Sequence, residues 1–234
     1  MRRTRPRVMT EASKVRLRFA KCGDLRLVSH RDIMRCLERM LRRAQIPIAL
    51  TQGFNPRPKI TFALALGLGI EGRCEVVDFE LFEPLEPADL IRRLKVVAPA
   101  GFDWLDAGPL PIDSPPPRPK TVEYSIPVLD ERRATAQANL SSLLSSTTWP
   151  LTRRRPNRES IFDLRPEVIA AELTVDGLLR FRLKVSADGS ARPEELLEAL
   201  MLRDLLDQGA VLTRTDVELE LPNRTQAPIR RCQT

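Results

Sequence analysis

Between residues 29 and 59 the chain gathers the groups best suited to holding an anion. Arg31, Arg35, Arg39, Arg42 and Arg43 are interleaved with Ile33, Leu37, Met40, Leu41 and Ala44. The three- and four-residue spacing of the apolar members predicts an amphipathic helix that stops before Pro47. At about 100° per residue the arginines share the opposite arc. Glu38 is the one acidic neighbour there, so the like charges repel weakly and an anionic partner would relieve them. A solvated surface is the plainer alternative. Next comes Gly53-Phe54-Asn55-Pro56-Arg57-Pro58-Lys59, where two prolines brace an aromatic ring, an amide and two cations. A rigid loop holds binding groups at low entropic cost. Arg57 and Lys59 suit phosphates, and Phe54 offers a stacking face for a base unless it caps the core. Lys21, upstream, joins the candidate binding cations.

The start of the helix holds the candidate acid/base groups. Ser29 and Asp32 fit a variant capping box, with Asp in place of Glu or Gln, and Asp32 suits the positive end of the helix dipole. His30 is the only histidine in the chain. At the first helical position it is expected to be partly exposed, as a proton donor or acceptor, a phosphate contact, or an idle surface group. His30 and Asp32 are therefore the catalytic candidates, with no catalytic role assigned.

Further along, Arg-Pro-Glu occurs at Arg165-Pro166-Glu167 and again at Arg192-Pro193-Glu194. Proline followed by Glu suits a helix start, but an arginine at the cap places a cation at the positive dipole end. Arg165 and Arg192 are thus expected either to be held by an acidic neighbour, such as Asp163 for Arg165, or to bind an anion. Arg153, Arg154, Arg155 and Arg158 add charge, read as a loop. Asp78 and Glu80, two apart on a strand, would share one face as a carboxylate pair or as two residues of a sheet rim.

Several chemistries lack their residues. One histidine and four scattered cysteines (Cys22, Cys36, Cys74, Cys232) support no usual zinc site and no iron–sulfur cluster, so no metal and no cofactor is expected. Neither GxxxxGK[ST] nor GxGxxG occurs, so no nucleotide cradle is signalled. With no secretory signal or 18-residue apolar run, the expectation is a cytoplasmic chain with reduced thiols and no membrane association.

The elements that must position these groups follow from periodicity. The chain has 234 residues and a net charge of +7. Counting side chains, residues 1–59 carry 16 basic and 4 acidic groups, residues 60–120 carry 6 and 10, and residues 121–234 carry 16 and 17, so the excess belongs to the first quarter. Such a patch favours polyanions or an acidic partner. A strand over 15–19, the helix, strand-like ITFALAL and EVVDFELF, a short helix from Pro87 and a strand FDWLDAG give the order β-α-β-β-α-β. That is the split βαβ or ferredoxin-like arrangement, a four-stranded antiparallel sheet with two helices on one face. Six of the thirteen residues from Gly108 to Lys120 are proline, a stiff linker. The second half repeats the rhythm: strand TVEYSIPVL, helix 132–144, strands LTRRR and VIAAELTV, a hairpin through Asp176-Gly177, helix 193–206 and strand VLTRTDVEL.

The predicted fold class is α+β, as two tandem ferredoxin-like (βαββαβ) modules, the second degenerate. The predicted divisions are a disordered basic arm over 1–14, a first module over 15–107, the linker over 108–120, a second module over 121–220 and a flexible tail over 221–234.

The stretch VRLRFAKCGDLRLVSHRDIMRCLERMLRRAQIPIALTQGFNPRPKITFALAL, with EVVDFEL, FDLRP and ARPEELLEALM, resembles the radical-SAM-linked domain of unknown function 2344 family. The resemblance runs from about Val15 to Met201 and is most specific in SHxD…RxxxRxxRRA…GFNPxP. It implies a radical SAM protein as partner, acting in trans because this chain has no CxxxCxxC triplet. Where the family usually reads Ser-His-Leu-Asp and Phe-Asn-Pro-His-Pro, this chain has Arg31 and Arg57. The second change removes a histidine from any two-histidine acid/base scheme and fits anion binding better.

Three functions follow as expectations. The first is an accessory protein for a radical SAM enzyme, binding RNA or another phosphate-rich target on its basic face and having no independent catalysis. The second is a metal-independent RNA-processing or RNA-modifying enzyme using His30. The third is a pure protein-interaction module.

Overall fold

The structure, a computed structural model, describes residues 12–155, 158–186 and 189–220. Most of the expected basic arm and all of the expected tail, with Cys232, lie outside the described residues. The last two residues assigned to that arm, Ser13 and Lys14, instead open the first strand.

Strand β1 (Ser13–Lys21) alternates as the sequence requires, with Val15, Leu17 and Phe19 turned to a core and Lys14, Arg16 and Arg18 to the opposite face. Helix α1 (His30–Arg43) buries Ile33, Leu37, Met40 and Leu41 against that core. Strand β2 (Ile60–Phe62) is shorter than the ITFALAL run suggests. The carbonyls of Leu64 and Ala65, which a longer strand would offer to its neighbour, accept instead from the Arg214 guanidinium. Strand β3 (Glu71–Leu81), helix α2 (Pro87–Val97, proline at its first turn) and strand β4 (Phe102–Leu110) complete the half. Strand β1 pairs antiparallel with both β3 and β4, and β2 pairs antiparallel with β3.

The proline-rich segment is shorter than expected, because β4 continues to Leu110 and the next strand, β5 (Pro119–Pro127), starts before Lys120. Helix α3 (Asp130–Ser145) follows, and then β6 (Pro150–Arg155) and β7 (Arg158–Asp163) make a separate two-stranded hairpin. The expected strand LTRRR is β6, and the arginine cluster placed on a loop belongs to this paired ribbon. Arg153 reaches Glu195 (Nε to Oε1, 2.6 Å) and Arg154 reaches Glu159 (3.0 Å).

Strands β8 (Val168–Leu173) and β9 (Leu178–Lys184) turn through Asp176-Gly177 as expected. Gly177 has φ +82°, a conformation that favours glycine, and the Arg133 guanidinium occupies the space a Cβ would take. Helix α4 (Pro193–Ala199) ends seven residues before the expected Leu206. Met201 takes φ +59°, which breaks the helical path, and a single 3-10 turn (Arg203–Leu205) follows. Strand β10 (Thr213–Leu219) is the last element among the described residues.

Among the described residues all strands except the β6–β7 ribbon join one mixed sheet in the order β4-β1-β3-β10-β5-β9-β8, with β2 attached to β3. The junction is β10, parallel to β3 through Thr213–Glu71 and Arg214–Gly72 and antiparallel to β5. Two buried clusters serve the sheet. One lies among β1, β3, β4, α1 and α2, and the other centres on β5, β9, α3 and α4. At the junction Arg214, 2% exposed, donates from Nε to Glu75 Oε1 (2.8 Å), with a second short contact to Oε2. Burial opposes the guanidinium's charge, but Glu75 and Tyr124 outweigh it and raise the pKa.

Cys74 is disulfide-bonded, which corrects the reading of four thiols; spacing along the chain does not report proximity in space. Cys22 and Cys36 are free. Among the described residues no helix is long and apolar enough to cross a membrane.

Candidate functional site

An open groove of about 1100 Å³ runs between α1 and the returning segment 48–60. That segment is fastened along β3. Ala49 N–H donates to Glu80 O, Lys59 N–H to Ala49 O, and Glu80 N–H to Lys59 O. Thr51 and Arg57 close its neck, with Thr51 N–H donating to Arg57 O and Arg57 N–H to Thr51 Oγ1 (3.0 Å). Gly53, at φ +130°, makes the reversal that precedes Phe54.

One wall is α1, with His30, Arg31, Arg35, Glu38 and Arg42; Arg57 faces them from the braced segment. Met34, Leu41, Ile46, Ile48, Leu50 and Ile60 supply apolar surface between the charges. Positions 31, 35, 38 and 42 fall on one edge of the helix, while Arg39 and Arg43 are turned away by about 80–120°. The predicted arginine arc is thus divided. Four cations line the groove against one carboxylate, Glu38.

Their availability differs. Arg35 binds Asp32 Oδ1 at 3.1 Å in an exposed pair, which is weakly held in water. Arg31, Arg42 and Arg57 are exposed and have no carboxylate partner among the described residues. The Asp32 carboxyl is held below its usual range, first by the Ser29 hydroxyl (2.7 Å) and then by Arg35. Asp32 N–H also donates to Ser29 Oγ, so both residues serve the helix cap. Held as a carboxylate near neutral pH, Asp32 is a poor proton donor. His30 is exposed, borders the groove, and sets its ring edge-on to Phe62 at 4.9 Å.

Other expected binding residues are placed elsewhere. Lys21 is 2% exposed and donates to Val28 O at 2.9 Å, so it is a structural cation rather than a surface one. Burial lowers its pKa; Glu75 opposes that shift and Arg214 adds to it. Lys59 is spent on Glu80 Oε2 at 2.6 Å. Asp78 shares a face with Glu80 but is gripped by Arg16 (2.7 Å) and Lys14 (3.5 Å), so each carboxylate has its own cation and no dyad forms. Arg165 donates to Val168 O and Leu144 O, tying down the turn after β7, and does not line the groove. Arg192 sits at the cap of α4, where its N–H donates to Glu195 Oε2 (2.8 Å). Phe54 is 105% exposed and Asn55 is exposed, so the ring does not cap the core.

Sequence reasoning missed the cation row of β1. Lys14, Arg16 and Arg18 lie on the sheet face away from α1; Arg18 reaches Asp216 at 3.3 Å, and Lys14 donates to Ser114 O. Its signal was the alternation in KVRLRF, where every second residue is a cation.

Residues 14–193 match a family described as an uncharacterized protein conserved in bacteria (DUF2344). No curated protein matches the chain. Among solved structures, an unknown protein from Galdieria sulphuraria is 13% identical, with 90% of this chain and 100% of that one covered and a TM-score of 0.30. A putative glycine cleavage system transcriptional repressor is 9% identical, with 87% and 97% covered and a TM-score of 0.26.

Proposed function

This chain belongs to that DUF2344 family of conserved bacterial proteins, and from that premise we propose that it is a binding protein whose α1 groove holds RNA, presenting it to a radical SAM enzyme that acts in trans. The observation that carries the RNA half is the convergence of Arg31, Arg42 and Arg57 on one groove without carboxylate partners among the described residues. Buried arginines elsewhere are tied to acids or carbonyls, whereas these three are left for an outside anion. The partner half rests on the family resemblance of the SHxD and GFNPxP stretches and on the lack of a cluster-binding cysteine triplet in this chain.

The reading includes the fold. Each half is a ferredoxin-like unit. Order β4-β1-β3-β2 in the first half and β10-β5-β9-β8 in the second place the fourth strand beside the first and the third between first and second. The groove belongs to the first unit, between its first helix and the segment that enters its second strand.

Binding is measured with a short unstructured RNA across a salt series. Four groove cations predict a log–log slope near −3 for a single strand, and each arginine removed lowers its magnitude by about 0.7. The Arg31→Ala/Arg42→Ala/Arg57→Ala variant loses most of the affinity while keeping its fold. A chain not retained on RNA at low salt overturns the RNA half. Co-purification of an acidic protein partner that survives nuclease and disappears in the triple variant would assign the groove to protein instead. The His30→Ala variant is expected to bind RNA with the wild-type slope; abolition of a cleavage activity with binding intact would make His30 catalytic.

A further inference from the structure

We infer that the groove selects an unpaired RNA segment over a duplex, with one base of that segment stacked on Phe54; this rests on the RNA-binding reading above. The charges alone would accept any polyanion, so the selectivity must come from what lies between them. Met34, Ile48, Leu50 and Ile60 place apolar surface beside the four arginines, and Leu50 is half exposed. A duplex presents phosphates and sugars outward and keeps its base faces stacked inside, so it can use the arginines but not this surface. An unpaired strand can turn its bases to the apolar wall while its phosphates meet Arg31, Arg35, Arg42 and Arg57.

The groove's size agrees. It holds about 1100 Å³ and is open along α1, which leaves room for an extended chain.

Phe54 supplies the second observation. It is 105% exposed at the tip of the segment that carries Pro56, Arg57 and Pro58, which line the groove. A ring held fully in water on a braced loop costs free energy in the unbound chain and gains it when a base covers it. Stacking of this kind accepts every base, so the selection is for strandedness rather than sequence.

The test compares an unstructured oligoribonucleotide with the duplex it forms with its complement, at equal phosphate concentration. The single strand is expected to bind at least about tenfold more tightly. Replacing the ring, Phe54→Ala, is expected to cost about 5- to 150-fold in single-strand affinity. The salt slope stays unchanged, because no phosphate contact is lost. Phe54→Trp restores the affinity. Phe54 is fully exposed among the described residues, so these variants are expected to fold as the wild type does. Equal affinity for strand and duplex, or a neutral Phe54→Ala, overturns this inference and leaves the RNA-binding reading standing. Absence of binding to either RNA overturns the reading beneath it.

Discussion

Arg42 and Arg214 are the same side chain in opposite circumstances. Arg42 stands in water on the wall of the α1 groove, with no carboxylate among the described residues. Arg214 is 2% exposed at the junction of β3 and β10, clamped to Glu75 and to the carbonyls of Leu64 and Ala65. The junction arginine has exchanged hydration for a full set of acceptors, so it works only as framework. The groove arginine keeps its hydration and can exchange it for phosphate. Charge of one sign therefore serves two ends, separated by whether the chain supplies the counter-charge itself.

The comparison can be broken most sharply at the junction. Arg214→Ala leaves Glu75 buried without its partner, a loss of about 3–5 kcal/mol read as a lower urea midpoint. Arg214→Met with Glu75→Leu removes both charges and should recover a large part of it. An Arg214→Ala variant as stable as the parent would mean that the clamp is not framework.

Leu37 tests the opposite face of the helix that bears the groove. It is fully buried on the core side of α1, away from Arg35 and Arg42, and Leu37→Ala should cost about 2–5 kcal/mol through the cavity it leaves. Differential scanning calorimetry would report the fall in Tm.

The helix cap comes next. Ser29→Ala should cost about 1 kcal/mol at neutral pH. The Asp32 carboxyl is more acidic folded than unfolded, so its contribution is present above the ordinary carboxylate range and is lost as the pH falls through the depressed folded value. Denaturant midpoints in acid should therefore show the Ser29→Ala difference shrinking.

Smallest of all should be the groove itself. Arg31→Ala, Arg42→Ala and Arg57→Ala are each expected to shift stability by less than about 0.5 kcal/mol, as unpaired surface groups do. A loss comparable to that of Arg214→Ala would show that the groove arginines are structural after all.

What the sequence disclosed follows the reach of each interaction. The span of α1 was legible because its apolar spacing, its Ser29 cap and its stop near Pro47 are all local. So was the approach of Arg57 to the same wall, since two prolines and a short return leave that segment little choice. Lys21 was misread because its acceptor, the carbonyl of Val28, lies across a turn whose shape no residue type announces. The fate of Arg214 depended on Glu75, 139 positions away. The truncation of β2 was hidden for the same reason, since the carbonyls of Leu64 and Ala65 are taken by Arg214, 150 and 149 positions away. Arg165 was expected to meet an acid such as Asp163 or an outside anion, because backbone carbonyls, its actual partners, are invisible in a pattern of charges.

The placement of β10 sets an order of events during synthesis. Among the described residues the two halves meet in one sheet through this strand alone, parallel to β3 over two residue pairs and antiparallel to β5 along its length. Until residue 213 has left the ribosome, β5 offers an unpaired flank and Glu75 waits without its cation. The nascent first half can complete its own helices and groove in that interval, yet the sheet is sealed last, by a strand that both halves must wait for.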